Sequence, residues 1–296
     1  MSFNQSVQKS LELLQDEICL GLENLDGRSK FREDKWVREG GGGGRTRIIE
    51  NGDLIEKGGV NFSAVHGKLP DVVKNSLGAT ENEFFACGVS IVLHPNSPYV
   101  PIIHMNVRYF ELGDGTYWFG GGIDLTPHFV DRSLASKFHK RLKHTCDQFQ
   151  PDFYPKFKEW ADDYFFNKHR METRGVGGIF YDKLDEEKSN LSKDELLDFT
   201  LAVGQTFVPA YTEQTENRAD PIVEQDREWQ RLRRGRYVEF NLVYDRGTKF
   251  GLETSGRIES ILMSLPRDAS WIYDYQPRNS RERNTMELLK KGIDWI

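Results

Sequence analysis

The chain has few cysteines and lacks long apolar runs. Its 296 residues include three isolated cysteines, Cys19, Cys87 and Cys146, without a C-x-x-C pair. Such thiols predict neither a disulfide framework nor a thiolate metal cage, and they fit a reducing compartment. No stretch approaches about 18 consecutive apolar residues, and the N-terminus resembles neither a signal peptide nor an arginine-rich presequence. We therefore expect a cytoplasmic protein without an integral membrane segment.

An excess of positive charge is also missing. Forty Lys and Arg residues stand against 46 Asp and Glu, which gives a net charge of −6. This balance argues against nucleic acid as the main partner. The glycine-rich segments match neither the P-loop nor the G-x-G-x-x-G pattern of nucleotide sites. Hydrophobic residues make up 38% of the chain, and strand-like segments continue from Ser90 to Arg257 without a linker, so residues 1–296 are expected to form one domain.

The hydrophobic pattern predicts a mixed fold. Period-2 alternation predicts strands, and Asn51-Gly52 is typical of a hairpin turn between Arg47 and Ile55. The predicted strands are 84–94, 101–111, 116–126, 174–182, 236–245 and 258–264. Spacings of three and four, with a capping box at Ser192 and Glu195, predict helices. These cover 5–25 (within 1–30), 133–149, a segment from Asp152, a segment from Ser192, and 283–291 (within 280–296). The expected class is α+β: a large, mostly antiparallel sheet sandwiched between helical layers.

One predicted strand carries an unusual row of polar side chains. His104, Asn106 and Arg108 share one face, whereas Met105, Val107 and Tyr109 share the other. A base, an amide and a fixed positive charge in one row suit an acidic ligand held over a proton-transfer group. Ser90 with His94 and the segment 236–245 show a similar alternation. The alternative is an edge strand with one solvated face.

Glycines cluster next to these segments, at 40–44, 120–122 and 175–178. Glycine inside a strand weakens packing, so it often marks close approach of a ligand to the backbone. For 40–44 a flexible loop is the alternative. The polar row thus suggests an acidic ligand, and the glycines suggest that a ligand approaches the backbone there.

These segments resemble the oxygen-dependent coproporphyrinogen III oxidases of haem biosynthesis, and the resemblance extends from residue 36 to 275. Small departures are Ala161, Tyr181 and Ser255, at positions where cysteine, phenylalanine and glycine are usual. The matching motifs are Gly40–Arg47, Gly59–Ser63, His94–Tyr99, His104–Phe110, Trp118–Pro127, Lys168–Asp182 and Arg234–Thr248.

The resemblance implies an oxidoreductase that acts on CH–CH groups with O₂ as acceptor. Two propionates of coproporphyrinogen III would become vinyl groups, with protoporphyrinogen IX, CO₂ and hydrogen peroxide as products. O₂ would be the co-substrate, no organic cofactor would be needed, and the protein would be a homodimer.

The resemblance also implies roles for individual residues. His104 is the candidate general acid or base, and Asp124 would accept hydrogen bonds from the pyrrole N–H groups. Asp245 and Arg246 would lie beside the reacting propionate. Arginine suits a propionate because its planar fork can hold a carboxylate through two hydrogen bonds. The expected substrate-binding residues are Ser90, Asn106, Val107, Arg108, Ser255, Gly256 and Arg257.

Four histidines raise the question of a metal. His94, His104, His139 and His169 match histidines proposed as ligands in bacterial relatives, and imidazoles could hold a divalent metal. No pair shows a short ligand spacing, and a porphyrinogen is readily oxidised, so a metal-free reaction is favoured. Two alternatives stay open: a histidine-ligated metal oxygenase and a non-catalytic tetrapyrrole carrier.

Overall fold

A seven-stranded antiparallel sheet organises the chain. The structure is a computed structural model that describes residues 2–69, 74, 82–253 and 257–296. The sheet order is β1-β2-β3-β4-β5-β6-β9, and β7 and β8 form a separate ribbon. The strands are β1 Arg32–Val37, β2 Gly42–Glu50, β3 Ile55–Lys68, β4 Glu83–Pro95, β5 Ile102–Leu112, β6 Tyr117–Thr126, β7 Phe166–Asn167, β8 Glu172–Thr173 and β9 Gly177–Leu184.

Helices cover both faces of this sheet, which confirms the predicted α+β class. Helices α1, α2, α5 and α6 share the main apolar cluster on one face. Helix α7 lies on the other face, and α3 contributes to both. Within the described residues, no helix is long and apolar enough to cross a membrane. The helices are α1 Phe3–Asp26, α2 Arg132–Asp147, α3 Phe153–Tyr164, α4 Glu186–Ser189, α5 Lys193–Gln205, α6 Phe207–Glu213, α7 Glu224–Val243, α8 Arg246–Glu253, α9 Ile258–Leu262 and α10 Ser280–Leu288.

Strand β5 alternates as its sequence predicts. Met105, Val107 and Tyr109 are at most 1% exposed and belong to the main apolar cluster. The side chains of His104, Asn106 and Arg108 are partly exposed on the opposite face. Each sheet face therefore has its own chemistry, with the apolar face providing the core and the polar face remaining available for a site.

The predicted strands at 236–245 and 258–264 are wrong. Residues 236–243 form the end of α7, and residues 258–262 form α9. Valines and aromatic residues give 236–245 a high strand propensity, but packing overrides propensity here. Tyr237, Phe240 and Asn241 are buried at helical spacings of three and four, whereas Leu242 and Val243 are exposed. The period of the buried positions is therefore that of a helix.

The predicted hairpin at Asn51-Gly52 is confirmed, with a longer connection than two residues. Strands β2 and β3 pair from Glu50 with Lys57 onward. Asn51 adopts a φ of 58°, which asparagine tolerates better than most residues. A Cβ on Gly52 would lie 2.1 Å from Asp26 Oδ2. Glycine is thus required at position 52 by the close approach of a carboxylate from the end of α1.

Asp26 holds this turn against α1. Its carboxylate is 5% exposed and accepts hydrogen bonds of 2.8–3.2 Å from the backbone N–H groups of Ser29, Asp53, Leu54 and Ile55. Burial alone would raise the pKa of Asp26, but these hydrogen bonds hold it below its usual value of 3.8. The charged form is therefore the one that stabilises the fold.

We expect Asp26→Asn to lower the free energy of unfolding at pH 7 by about 2–3 kcal/mol, because bonds to a charged acceptor are lost and an N–H₂ group faces N–H donors. The folded-state pKa is depressed, so the carboxylate contributes fully above about pH 4 and its contribution disappears as the pH falls through the folded-state pKa. Urea unfolding from pH 7 to pH 2 should show the two proteins converging. Asp53→Asn, in an exposed pair with Arg28, is the matched control; an equal loss in both variants would contradict the role of Asp26.

Candidate functional site

The polar face of β4, β5 and β6 brings predicted site residues into one patch. In the strand register, Ser90 lies opposite Asn106, and Asn106 lies opposite Gly122. His104 lies opposite Asp124. Directly opposed residues project from the same face, so these residues share one surface although they come from three strands.

Arg108 lies opposite Gly120 in the strand register. Its Nη1 donates to Asn106 Oδ1 at 2.8 Å, and its Nη2 lies 2.9 Å from Asp182 Oδ1. A Cβ on Gly120 would lie 2.9 Å from Arg108 Nη2 and 2.8 Å from Asp182 Oδ1. Gly120 therefore makes room for this ion pair. The Arg108 side chain is 35% exposed and is therefore partly accessible to solvent.

His104, Asp124 and Arg174 form a row of side chains in contact, and His104 is its most exposed member. Its Nδ1 lies 2.8 Å from Asp124 Oδ1, and its side chain is 20% exposed against 1% for Asp124. An ionised carboxylate only accepts hydrogen bonds, so the network assigns the proton of the neutral ring to Nδ1. Nε2 is then left as an acceptor.

Arg174 is buried and forms an ion pair with Asp124. Its Nη2 lies 2.7 and 2.8 Å from the two carboxylate oxygens, and its Nη1 donates to Asn241 Oδ1 at 2.9 Å. The rings of Phe165, Tyr237 and Phe240 surround its guanidinium, with centroids 4.4–4.9 Å away. Burial alone would raise the pKa of Asp124, but Arg174 and the bond with His104 hold it below its usual range. Asp124 is therefore ionised, and in this structure both of its oxygens face protein groups.

Asp245 and Arg246 lie at the start of α8. Asp245 caps the helix, because its Oδ2 accepts from the backbone N–H of Thr248 at 2.7 Å. Arg246 is exposed. Tyr164 contacts both residues, and its ring stacks on Phe180, which lies opposite Gly122 in the sheet. The pair is thus next to the polar face, although Asp245 also has the ordinary role of a helix cap.

Arg257 lies farther along the sheet, where it pairs with Asp34 of β1. Four strand spacings, roughly 19 Å, separate the β1 backbone from that of β5. Helix α9 covers the intervening strands: the Ser260 hydroxyl lies 2.8 Å from that of Thr46, and a Cβ on Gly59 would lie 1.9 Å from Met263 Sδ. Ser255 and Gly256 lie outside the described residues.

Val107 differs from the other predicted binding residues because its side chain faces the core. It is fully buried among apolar neighbours, and its backbone belongs to the ladders with Val89 and Gly121. In the segment Asn106–Arg108, the two flanking side chains therefore lie on the polar face, and Val107 anchors the strand in the core.

The four candidate metal-binding histidines occupy four different environments. Buried His94 bonds to the Ser264 carbonyl, and both nitrogens of His139 contact Tyr154 and the Val176 carbonyl. His169 lies between Glu239 and Tyr244, and His104 is paired with Asp124. Burial lowers the pKa of His94 to about 3 and that of His139 to about 4. Across the described ranges, no three His, Cys, Asp or Glu side chains form a group that could hold a metal.

Sequence reasoning assigned no role to Asp182 or Asn241, and it counted Arg174 only among several arginines that could face an acidic ligand, not as the partner of Asp124. Alternation from Gly178 through Phe180 places Asp182 on the site face, so the strand pattern could have identified it. The roles of Arg174 and Asn241 depend on α7 packing over the sheet. Because residues 236–245 were predicted as a strand, that packing could not be anticipated.

The sequence is similar to those of known coproporphyrinogen III oxidases. The sequence model of a family described as coproporphyrinogen III oxidase matches residues 6–295. An oxygen-dependent coproporphyrinogen-III oxidase of Prochlorococcus marinus (strain MIT 9301) is 47% identical over 99% of this chain and 92% of that protein. The mitochondrial enzyme of Rattus norvegicus is 48% identical over 95% of this chain and 66% of its own length. The chloroplastic enzyme of Glycine max is 46% identical over 98% of this chain and 78% of its own length. The chain belongs to the coproporphyrinogen III oxidase family.

Proposed function

We propose that the protein catalyses the aerobic oxidative decarboxylation of coproporphyrinogen III to protoporphyrinogen IX. The observation that carries this proposal is the pairing, on one sheet face, of His104 backed by buried Asp124 with Arg108 opposite Gly120. Membership in the family supplies the reaction. The two groups supply a proton relay and an anion site on the same strand.

In the proposed binding mode the tetrapyrrole lies on the polar face of β4, β5 and β6. Gly120 makes room for the Arg108–Asp182 pair, and Arg108 with Asn106 holds one propionate through charge-assisted hydrogen bonds. Arg246 offers positive charge at another edge of this patch, whereas Arg257 lies beyond α9 and is paired with Asp34. Distributed cations suit a ring with four propionates better than one basic patch would.

The proposed chemistry is balanced by O₂. Each reacting propionate, –CH₂–CH₂–COO⁻, loses CO₂, two electrons and one proton. The proton comes from the methylene carbon attached to the ring, and a vinyl group remains. O₂ accepts the two electrons and, with two protons, leaves as hydrogen peroxide. One of these protons is taken from the medium for each carboxylate consumed. Two such rounds use two O₂ and release two CO₂ and two H₂O₂.

His104 is proposed as the group that moves protons at the ring. Its Nε2 can accept a pyrrole N–H proton, which makes the ring electron-rich and reactive toward O₂. Asp124 stabilises the resulting imidazolium and fixes the Nδ1–H tautomer. Direct contact of Asp124 with the pyrroles is less consistent with its 1% exposure, so we assign it to support of His104. Asp245 and Arg246 are proposed to lie beside the reacting propionate.

The proposal includes no organic cofactor and no obligatory metal. Support comes from the donor set: His139 uses both nitrogens within the core, and among the described residues the free Nε2 of His104 is not joined by two further His, Cys, Asp or Glu donors. The porphyrinogen itself is the electron donor, so O₂ is the one co-reactant that the balance requires.

A homodimer in the cytoplasm completes the proposal. Several large apolar side chains between Leu242 and Tyr273 are exposed, and a dimer interface would remove those that it covers from water. The exposed side chains are Leu242, Val243, Leu252, Ile258, Trp271, Ile272 and Tyr273. Sedimentation equilibrium should give twice the chain mass of 34.3 kDa. The three cysteines are buried and unpaired, as suits a reducing compartment.

Purified protein should turn over after exhaustive chelation. Under air we expect O₂ uptake, peroxide release and a product with the mass of protoporphyrinogen IX; under nitrogen the substrate should be unchanged until air is admitted. Activity that disappears on chelation and returns with one metal would establish the metal oxygenase instead. Tight binding without O₂ uptake would establish the carrier.

Arg108→Ala should raise KM by about 10- to 100-fold, because a hydrogen-bonded charge facing a carboxylate is worth roughly 1.5–3 kcal/mol. Arg108→Lys should restore part of this binding, since lysine keeps the charge and loses the fork. Steady-state kinetics make the comparison. Arg231→Ala, which removes an arginine paired with Glu224 on α7, is the control and should leave KM unchanged. A native KM in Arg108→Ala would return Arg108 to a structural ion pair with Asp182.

His104→Asn and Asp124→Asn should each lower kcat by about 10²–10³ through loss of proton transfer and of its electrostatic support. Because Asp124 is proposed to act through His104, the double variant should be little slower than either single variant. Urea unfolding should accompany the kinetics, since Asp124→Asn leaves Arg174 buried without its counter-charge. Near-native turnover by folded Asp124→Asn would overturn the proposed support of His104 by Asp124. A loss of kcat in the double variant equal to the product of the two single losses would also overturn it.

A further inference from the structure

Tyr164, the last residue of α3, connects the sheet to the start of α8 through one hydroxyl group. The hydroxyl lies 3.0 Å from Asp245 Oδ1 and 3.2 Å from the backbone nitrogen of Arg246. A carboxylate accepts and a backbone N–H donates. The hydroxyl therefore donates to Asp245 and accepts from Arg246, and this single group fixes two adjacent residues.

The ring of Tyr164 is held by the floor of the site. It stacks on Phe180 with centroids 4.1 Å apart and planes 12° from parallel, and it meets Phe165 edge-on at 5.0 Å. Phe180 lies opposite Gly122, which is itself opposite Asn106. The position of the hydroxyl is thus set by the same strands that present Asn106.

The charge state of Tyr164 suits this connection. Burial, with a further effect of the Asp245 carboxylate, raises the pKa of Tyr164 above its usual value of 10. The phenol is therefore neutral and keeps its proton across the range in which enzymes work. The guanidinium carbon of Arg246 lies 5.5 Å from the centroid of the same ring, so the ring also limits where the Arg246 side chain can go.

The backbone and the carboxylate of Asp245 have different partners. Its backbone N–H donates to the Phe240 carbonyl of α7 at 3.0 Å, and its Oδ2 accepts from the Thr248 N–H at 2.7 Å and caps α8. The Tyr164 hydroxyl bonds the other oxygen, Oδ1, and so links this carboxylate to β9 and β6 through the ring stacked on Phe180.

We infer that Tyr164 is a positioning residue for decarboxylation, which aims Asp245 and Arg246 at the reacting propionate through its hydroxyl. The inference rests on the proposed function of that pair. Tyr164 does not need to touch the substrate to act in this way, and its effect should pass through Asp245 and Arg246.

Tyr164→Phe tests this role because it removes the hydroxyl and keeps the stacked ring. We expect kcat/KM to fall about 10- to 100-fold, the range for losing a hydrogen bond to a charged group, with an unchanged thermal midpoint of unfolding. Tyr154→Phe is the matched control: it lies on the same helix, and its hydroxyl contacts His139 in the core 3.0 Å away. This control should leave the kinetics native.

Double-mutant cycles with Asp245→Asn and with Arg246→Ala separate the inference from the proposed function. If Tyr164 acts through this pair, Tyr164→Phe should have little further effect in at least one of the two proteins. A large loss in Asp245→Asn or Arg246→Ala with native kinetics in Tyr164→Phe, or fully multiplicative losses in both cycles, would overturn the positioning role and leave the proposed function standing. Native kinetics in both Asp245→Asn and Arg246→Ala would overturn the role of the pair itself.

Discussion

The buried ion pair of Arg174 and Asp124 is the contact on which the arrangement of the site depends. Removing two charges from water is costly, and such pairs add little net stability compared with apolar packing. Their value here is geometric. Arg174 holds Asp124 from one side, reaches Asn241 of α7 on another, and is enclosed by Phe165, Tyr237 and Phe240. The helix over the sheet and the carboxylate within it are therefore positioned by one guanidinium.

Strand β5 divides the proposed chemistry between its two ends. His104 and Arg108 are four residues apart, about 13 Å along a strand, and both point to the same face. At one end, Asp124 pairs with His104, the proposed proton-transfer group. At the other end, the Arg108 cation lies beside Asp182. This separation matches a ligand whose carboxylates lie at its edge and whose N–H groups lie at its centre. A single pocket of mixed charges would not make that distinction.

The sheet could be predicted from the sequence because its signals are local. Alternation in β5, the glycines of β6 and the Asn51-Gly52 turn each identify their own element, and the register then brings His104 opposite Asp124. The end of α7 could not be predicted in this way. Tyr237, Phe240 and Asn241 are adjacent to residues of high strand propensity, and only contacts with Arg174 and the sheet decide that they form a helix. The role of Arg174 had to be missed for the same reason, since its partners are distant in sequence.

Two glycines on the site face are required by neighbouring protein atoms, not by a ligand. Gly59 is covered by Met263, and Gly120 lies under Arg108 and Asp182, so both are explained by protein atoms. Helix α9 therefore occupies the face over β2 and β3, and a flat ligand would have to lie over β4, β5 and β6. Those are the strands that carry Ser90, Asn106, Arg108 and His104. The position of α9 thus limits the proposed ring to the part of the sheet where the proton relay and the arginine are both within reach.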